Sequence, residues 1–122
     1  HRARKEQIYR TYEAAFAGLS VSMNPYLPDS RPNFWLSCMT IDPGCTVTPE
    51  KVRLALEAEN IESRPIWKPM HLQPVFAGCD FITVGDNVGE DIFARGLCLP
   101  SDIKMSEEQQ QRVITIIKGS MQ

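Results

Sequence analysis

Residues 48–74 read TPEKVRLALEAENIESRPIWKPMHLQP. Thr48 followed by Pro49 is a helix start, with a side-chain oxygen at the cap and a ring already fixed at helical φ in the first turn. Val52, Ala55 and Leu56 supply a short inward stripe, and Asn60 suits the left-handed position that closes a helix. Residues 61–67 then read as a strand. Pro65 removes a backbone donor from it, which places it at a sheet edge or stops its pairing there. The segment thus switches from helical to extended periodicity within a few residues and enters a proline-rich loop.

The same alternation continues on both sides. Upstream, Ile8, Tyr12, Ala15, Phe16 and Leu19 recur at steps of three and four, predicting an amphipathic helix over residues 3–18. Residues 24–33 contain three prolines and several turn formers and read as loop. Residues 34–41 read as a strand buried on both faces, with Trp35 as a core residue. Downstream, residues 68–85 are rich in Pro, Gly and large apolar side chains. Residues 86–95 predict a short helix with Val88, Ile92 and Phe93 inward, and residues 97–99 a short strand. Ser106 and Gln109 form a capping box ahead of a last helix whose apolar side is Val113, Ile114, Ile116 and Ile117. The order α, β, α, β, loop, α, β, α with short connections predicts an α+β fold, a small antiparallel or mixed sheet covered by helices. The long first helix is expected to project from that body.

Composition fits one domain. The chain has 122 residues, 43% of them hydrophobic and 23% charged, with a formal charge of −2. A chain of about this length buries roughly two-thirds of its unfolded surface, enough for a core without staples. A pI near 5.7 argues against a nucleic-acid partner, and no apolar run approaches the roughly 20 residues that span a bilayer. The N-terminus is basic but lacks the apolar stretch of a secretion signal. The four cysteines, Cys38, Cys45, Cys79 and Cys98, show neither C-x-x-C nor paired-His spacing. They are expected to be reduced thiols of a cytoplasmic protein, with no metal site. The first residue is His rather than Met, so the chain is expected to be part of a longer protein.

The chemistry is concentrated in Arg64–Pro74, RPIWKPMHLQP. Prolines around Lys68 and His71 restrict the backbone and preset the directions of the polar side chains. Arg64 and Lys68 suit phosphate, one as a planar fork and the other as a point charge. Trp67 offers a flat face to a sugar or base. His71 donates, accepts or changes charge near neutral pH. Together these residues suit an anionic, ring-bearing ligand such as a nucleotide or phosphosugar. Gln73 is a weaker candidate. A proline-rich loop with Trp and Met also serves as a structural lid on a core, and a single His among apolar neighbours is often packing.

Residues 64–76, RPIWKPMHLQPVF, closely resemble the signature of the DegT-type sugar aminotransferases. The basic helix ARKEQIYRTYEAAF, the strand NFWLSCMTI, the run TPEKVRLALEAENIESRP and the closing GLCLPSD with its isoleucine-rich helix are similar to the same family in the same order. The resemblance implies the small-domain part of the aspartate aminotransferase fold. It implies a parent enzyme that depends on pyridoxal phosphate, acts as a homodimer, and moves an amino group, from glutamate, onto a UDP-linked 4-keto-6-deoxy sugar. It further implies that residues 1–122 are one small C-terminal domain, with residues 1–20 as the leading helix and 21–122 as the α+β body. The Schiff-base lysine and the cofactor-binding residues then belong to an absent large domain. No catalytic or cofactor-binding residue is expected in this chain, and no bound cofactor. Lys68 lies in the wrong motif to be the Schiff-base lysine. The implied substrate-binding set is His71, Arg64, Trp67 and Lys68. The alternative is a stand-alone, non-catalytic binding or interaction module derived from that domain.

Overall fold

A computed structural model describes all residues from His1 to Gln122. The elements are α1 (Arg2–Phe16), β1 (Val21–Met23), β2 (Ser37–Ile41), α2 (Pro49–Glu57), β3 (Arg64–Pro65), α3 (Val88–Arg95), β4 (Gly96–Leu99) and α4 (Glu107–Ser120). The four strands make one sheet in the order β1-β2-β4-β3. Every pairing is antiparallel, which settles the expected fold class as α+β with an antiparallel sheet.

Local chemistry sets the helix starts. Thr48 Oγ1 accepts from the Lys51 N–H, and Pro49 occupies the first turn of α2. Ser106 and Gln109 close a reciprocal capping box on α4. Asn60 sits at φ 58°, the left-handed position expected after α2. Pro65 lies on β3, an edge strand, where its missing N–H leaves no ladder bond unmade.

The register divides β2 by face. Ser37, Met39 and Ile41 are buried, whereas Cys38 and Thr40 are only half-buried. This corrects the expectation of burial on both faces. The buried row faces α1, α2 and α4. There Met39, Leu97 and Leu99 join Ile8, Tyr12, Phe16, Val52, Leu56, Val113, Ile114 and Ile117 in one core. Burial of this apolar surface, at about 25 cal/mol per Å², is the main favourable term for such a domain. Helix α1 does not project. Tyr12 is fully buried and donates to the Pro100 carbonyl at 2.9 Å. The Gln110 amide donates to the Ile8 carbonyl at 2.8 Å, so α1 and α4 are tied through a satisfied buried polar group.

The second face of the sheet carries α3. A Cβ at Gly96 would lie 2.4 Å from Ile66 Cγ1 and 2.5 Å from the Ile92 carbonyl. Only glycine allows the chain after α3 to approach the 64–67 segment this closely. One further expectation is corrected here. Val88 and Ile92 face outward, since α3 buries no residue. Strand β1 has no counterpart in the sequence reading, because three residues give no legible alternation.

Candidate functional site

The 66–87 segment is held in shape by its prolines. Pro69 adopts φ −52°, ψ 142° and starts a 3-10 turn over Met70–Leu72. Gln73 is extended ahead of Pro74, which opens a second turn over Pro74–Phe76. Gln73 braces this loop: its amide nitrogen lies 3.4 Å from the Lys68 carbonyl and 3.6 Å from Met70 Sδ.

His71 sits in the first of these turns. Its ring stacks on Phe81 with centroids 3.7 Å apart and planes 16° from parallel. Nε2 lies 2.5 Å from Glu90 Oε1, and the Asn87 amide donates to the same carboxylate oxygen at 2.8 Å. Asn87 also caps α3, accepting from the Glu90 N–H at 3.1 Å. The helix start therefore fixes Glu90, and Glu90 fixes the imidazole. Nε2 donates to the carboxylate, which assigns the tautomer and makes Nδ1 the acceptor of the neutral ring. Nδ1 has no protein partner and is not among the buried unpaired atoms, so it reaches the surface. The site can thus offer one oriented nitrogen to a ligand.

A second group lies around β3. Trp35, Trp67, Arg64, Cys98 and Ser101 border an open cleft of about 320 Å³. The two indole rings are 6.0 Å apart at 39°, and both are more than 60% exposed. Arg64 is exposed and pairs with Glu62 at 2.6 Å. Two exposed aromatic faces beside a guanidinium suit a planar ring attached to an anion.

The structure brings Arg64 together with Trp67 and sets His71 in a separate cluster. Lys68 lies exposed on the chain between them, with no side-chain partner. Trp35, expected in the core, belongs instead to the cleft. Phe34 takes the buried place, packed 5.2 Å from Tyr9 and 5.5 Å from Tyr26. Glu90, Asn87 and Phe81 were not legible as site residues. The Asn87-x-x-Glu90 spacing signals a helix cap, but nothing local says that the cap holds a histidine 16 to 19 residues away. Tyr9 and Tyr12 are buried, as core residues are expected to be. No three His, Cys, Asp or Glu gather in a group able to hold a metal ion.

The donor set does not assemble a pyridoxal-phosphate site within these residues. Lys68 is exposed rather than buried opposite a carboxylate. Lys5, the best-fixed lysine, is committed to the Trp35 and Ser101 carbonyls.

The DegT/DnrJ/EryC1/StrS aminotransferase family matches residues 1–118, and the chain belongs to that family. Among its relatives, EpsN of Bacillus subtilis (strain 168), assigned as a pyridoxal phosphate-dependent aminotransferase, is 38% identical over 93% of this chain. The GDP-perosamine synthase of Caulobacter vibrioides is 31% identical over 96% of it. The chain spans only 30% and 32% of those two proteins. The fold matches a DegT DnrJ EryC1 StrS aminotransferase from Brucella abortus with a TM-score of 0.81 at 24% identity, covering 98% of this chain and 31% of that one. It matches DesV of S. venezuelae with a TM-score of 0.82 at 22% identity, covering 99% and 32%.

Proposed function

We propose that this chain is the small C-terminal domain of a pyridoxal-phosphate-dependent nucleotide-sugar aminotransferase, and that its share of the work is to bind and orient the sugar nucleotide. The observation that carries the reading is the family match across residues 1–118. On this reading residues 1–20 lead into the domain and residues 21–122 form its body. A large domain elsewhere in the protein supplies the cofactor, which provides the electron sink when bound, and the lysine that anchors it. His71 faces the sugar or its diphosphate through Nδ1. Arg64, Trp67 and Lys68 contact the nucleotide part. The amino donor is glutamate and the acceptor a UDP-linked 4-keto-6-deoxy sugar.

The exposed surface supports a domain that works against other protein. Met70, Val75, Phe81, Ile82, Val84 and Val88 are all exposed along one stretch. Such density of large apolar groups marks an interaction face, here one covered by the large domain and the partner subunit of a homodimer. No helix is long and apolar enough to cross a membrane, and the proposed location is the cytoplasm.

The test uses the whole protein expressed from its gene, with pyridoxal phosphate and glutamate, against UDP- and GDP-linked 4-keto-6-deoxy sugars. Amination of the UDP-sugar in preference to the GDP-sugar is expected. Preference for the GDP-sugar would correct the nucleotide only, whereas failure to aminate any keto sugar would overturn the reading. The 122-residue chain alone is expected to give no turnover.

A further inference from the structure

Two of the four free thiols face each other across the centre of the sheet. In the β2–β4 register Cys38 is directly opposite Cys98, and their Sγ atoms are 3.5 Å apart. The Cys38 N–H donates to Asn24 Oδ1, and its carbonyl accepts from the Asn24 N–H. Both groups therefore point toward the β1 side and neither bonds to β4. Cys38 and Cys98 form a non-hydrogen-bonded pair, in which facing Cα atoms sit about 4.5 Å apart. That separation lies within the range of about 4.4–6.8 Å that a disulfide spans. No backbone movement is needed to join them; rotation of the side chains closes the remaining gap.

We infer that Cys38 and Cys98 form a reversible dithiol–disulfide site that a small-molecule disulfide oxidises through the Trp35–Trp67 cleft. The pair lies on the sheet face opposite the core, where residues 38 and 40 alternate with the buried row. Cys98 is buried but borders the cleft, and Cys38 beside it is half-buried, so an oxidant approaches the pair from the cleft without unfolding the sheet. The thiol–thiol hydrogen bond holds Cys98 below its ordinary value against the opposing effect of burial. The same bond, with burial, pushes Cys38 up. Cys98, the thiol that borders the cleft, is the first nucleophile and attacks as the thiolate.

The Cys98 thiolate attacks one sulfur of glutathione disulfide, forming a mixed disulfide and releasing one glutathione thiolate. Cys38 then loses its proton and attacks the Cys98 sulfur, forming the Cys38–Cys98 bond and releasing the second glutathione. The two protein thiols lose two electrons and two protons, and glutathione disulfide becomes two glutathione molecules. The reaction needs neither cofactor nor keto sugar, and it stands whether or not the proposed transamination does.

The test takes the whole reduced protein, exposes it to glutathione disulfide, alkylates the remaining thiols, and maps the peptides by fragmentation that separates Cys38 from Cys45. A peptide containing Cys38 joined to one containing Cys98 is expected, with dithiothreitol restoring both thiols. Cys38→Ser is expected to leave glutathione trapped on Cys98. Two results would overturn the inference. One is a wild-type protein whose Cys98 ends as a glutathione adduct while Cys38 is still alkylated. The other is full alkylation of both at an oxidant level that has already converted the exposed Cys79.

Discussion

His71 and Glu90, 19 residues apart in the chain, meet at 2.5 Å between Nε2 and Oε1. A carboxylate that accepts from one imidazole nitrogen fixes the tautomer and aims the other. On the proposed function, Glu90→Ala in the whole protein removes that hold. A hydrogen bond involving a charged group is worth about 1.5–3 kcal/mol, so kcat/KM toward the sugar nucleotide should fall by roughly 10- to 150-fold. Glu90→Gln keeps an acceptor oxygen and should recover most of the loss. Imidazole 15N spectra provide the independent readout. They should show the Nε2–H tautomer in the wild type and a mixture in Glu90→Ala. An unchanged tautomer in the alanine variant would reduce Glu90 to a helix-cap residue.

Trp35 and Trp67 make a contrasting case, because their exposure separates stability from binding. The contact is worth about 0.5–1.5 kcal/mol beyond the area the rings bury, and both rings are more than 60% exposed, so Trp35→Ala and Trp67→Ala should each lower the urea midpoint only modestly. Stacking of a nucleobase on such a face is worth about 1–3 kcal/mol. On the proposed function, KM for the nucleotide sugar should therefore rise by roughly 5- to 150-fold. A large stability loss with KM unchanged would make the indoles a brace for the 64–67 segment.

The same two residues mark where the sequence stops being readable. Thr48-Pro49 and Ser106–Gln109 are legible because a cap and the groups it satisfies lie within one turn. The edge position of Pro65 is legible because the missing donor is a property of the residue. Trp35 leaves the core for a conformational reason. Phe34 has φ 53°, and the Asn33 side chain accepts from the Trp35 N–H at 2.9 Å. A left-handed residue ahead of the strand breaks its regular geometry, so Phe34 enters the core as expected while Trp35 is turned out. Helix α3 fails differently. Its apolar spacing resembles an inward stripe, yet Val88 and Ile92 lie in the exposed apolar stretch that begins at Met70. A pattern read as core is also what a surface awaiting a partner looks like. His71 was legible as a candidate, but its partners were not, because a contact between a turn and a distant helix start leaves no local pattern.

Gly96 ties α3 to the candidate site by close approach. Its own backbone is extended, at φ −101°, so any residue tolerates the angle and the constraint is space alone. Gly96→Ala places a methyl at 2.4 Å from Ile66 and 2.5 Å from the Ile92 carbonyl. The second neighbour is backbone and cannot rotate away. Overpacking of this kind costs about 1–3 kcal/mol, which should appear as a lower urea midpoint at unchanged slope. The displacement is passed to α3 and so to Glu90, and the His71 tautomer should become mixed in the same variant. A wild-type midpoint would mean that β3 yields without cost.

Alkaline pH probes the opposite side of the sheet. Tyr12 is fully buried, and burial pushes its phenol well above the ordinary value of 10.0. Burial likewise raises Tyr9, with Glu13 adding to the effect. A raised folded-state pKa means that the unfolded chain releases the proton first. The associated stability is fully present below pH about 10 and is lost as pH climbs toward the folded value, at up to roughly 1.4 kcal/mol per pH unit for Tyr12. Unfolding midpoints measured from pH 9 to 11 should fall across that window. Tyr12→Phe should lower the midpoint at pH 8 by about 1 kcal/mol through loss of the bond to the Pro100 carbonyl. It should also flatten the alkaline decline, leaving the smaller slope that belongs to Tyr9. A decline equally steep in Tyr12→Phe would assign the alkaline sensitivity to other groups and show that the phenol of α1 ionises without opening the core.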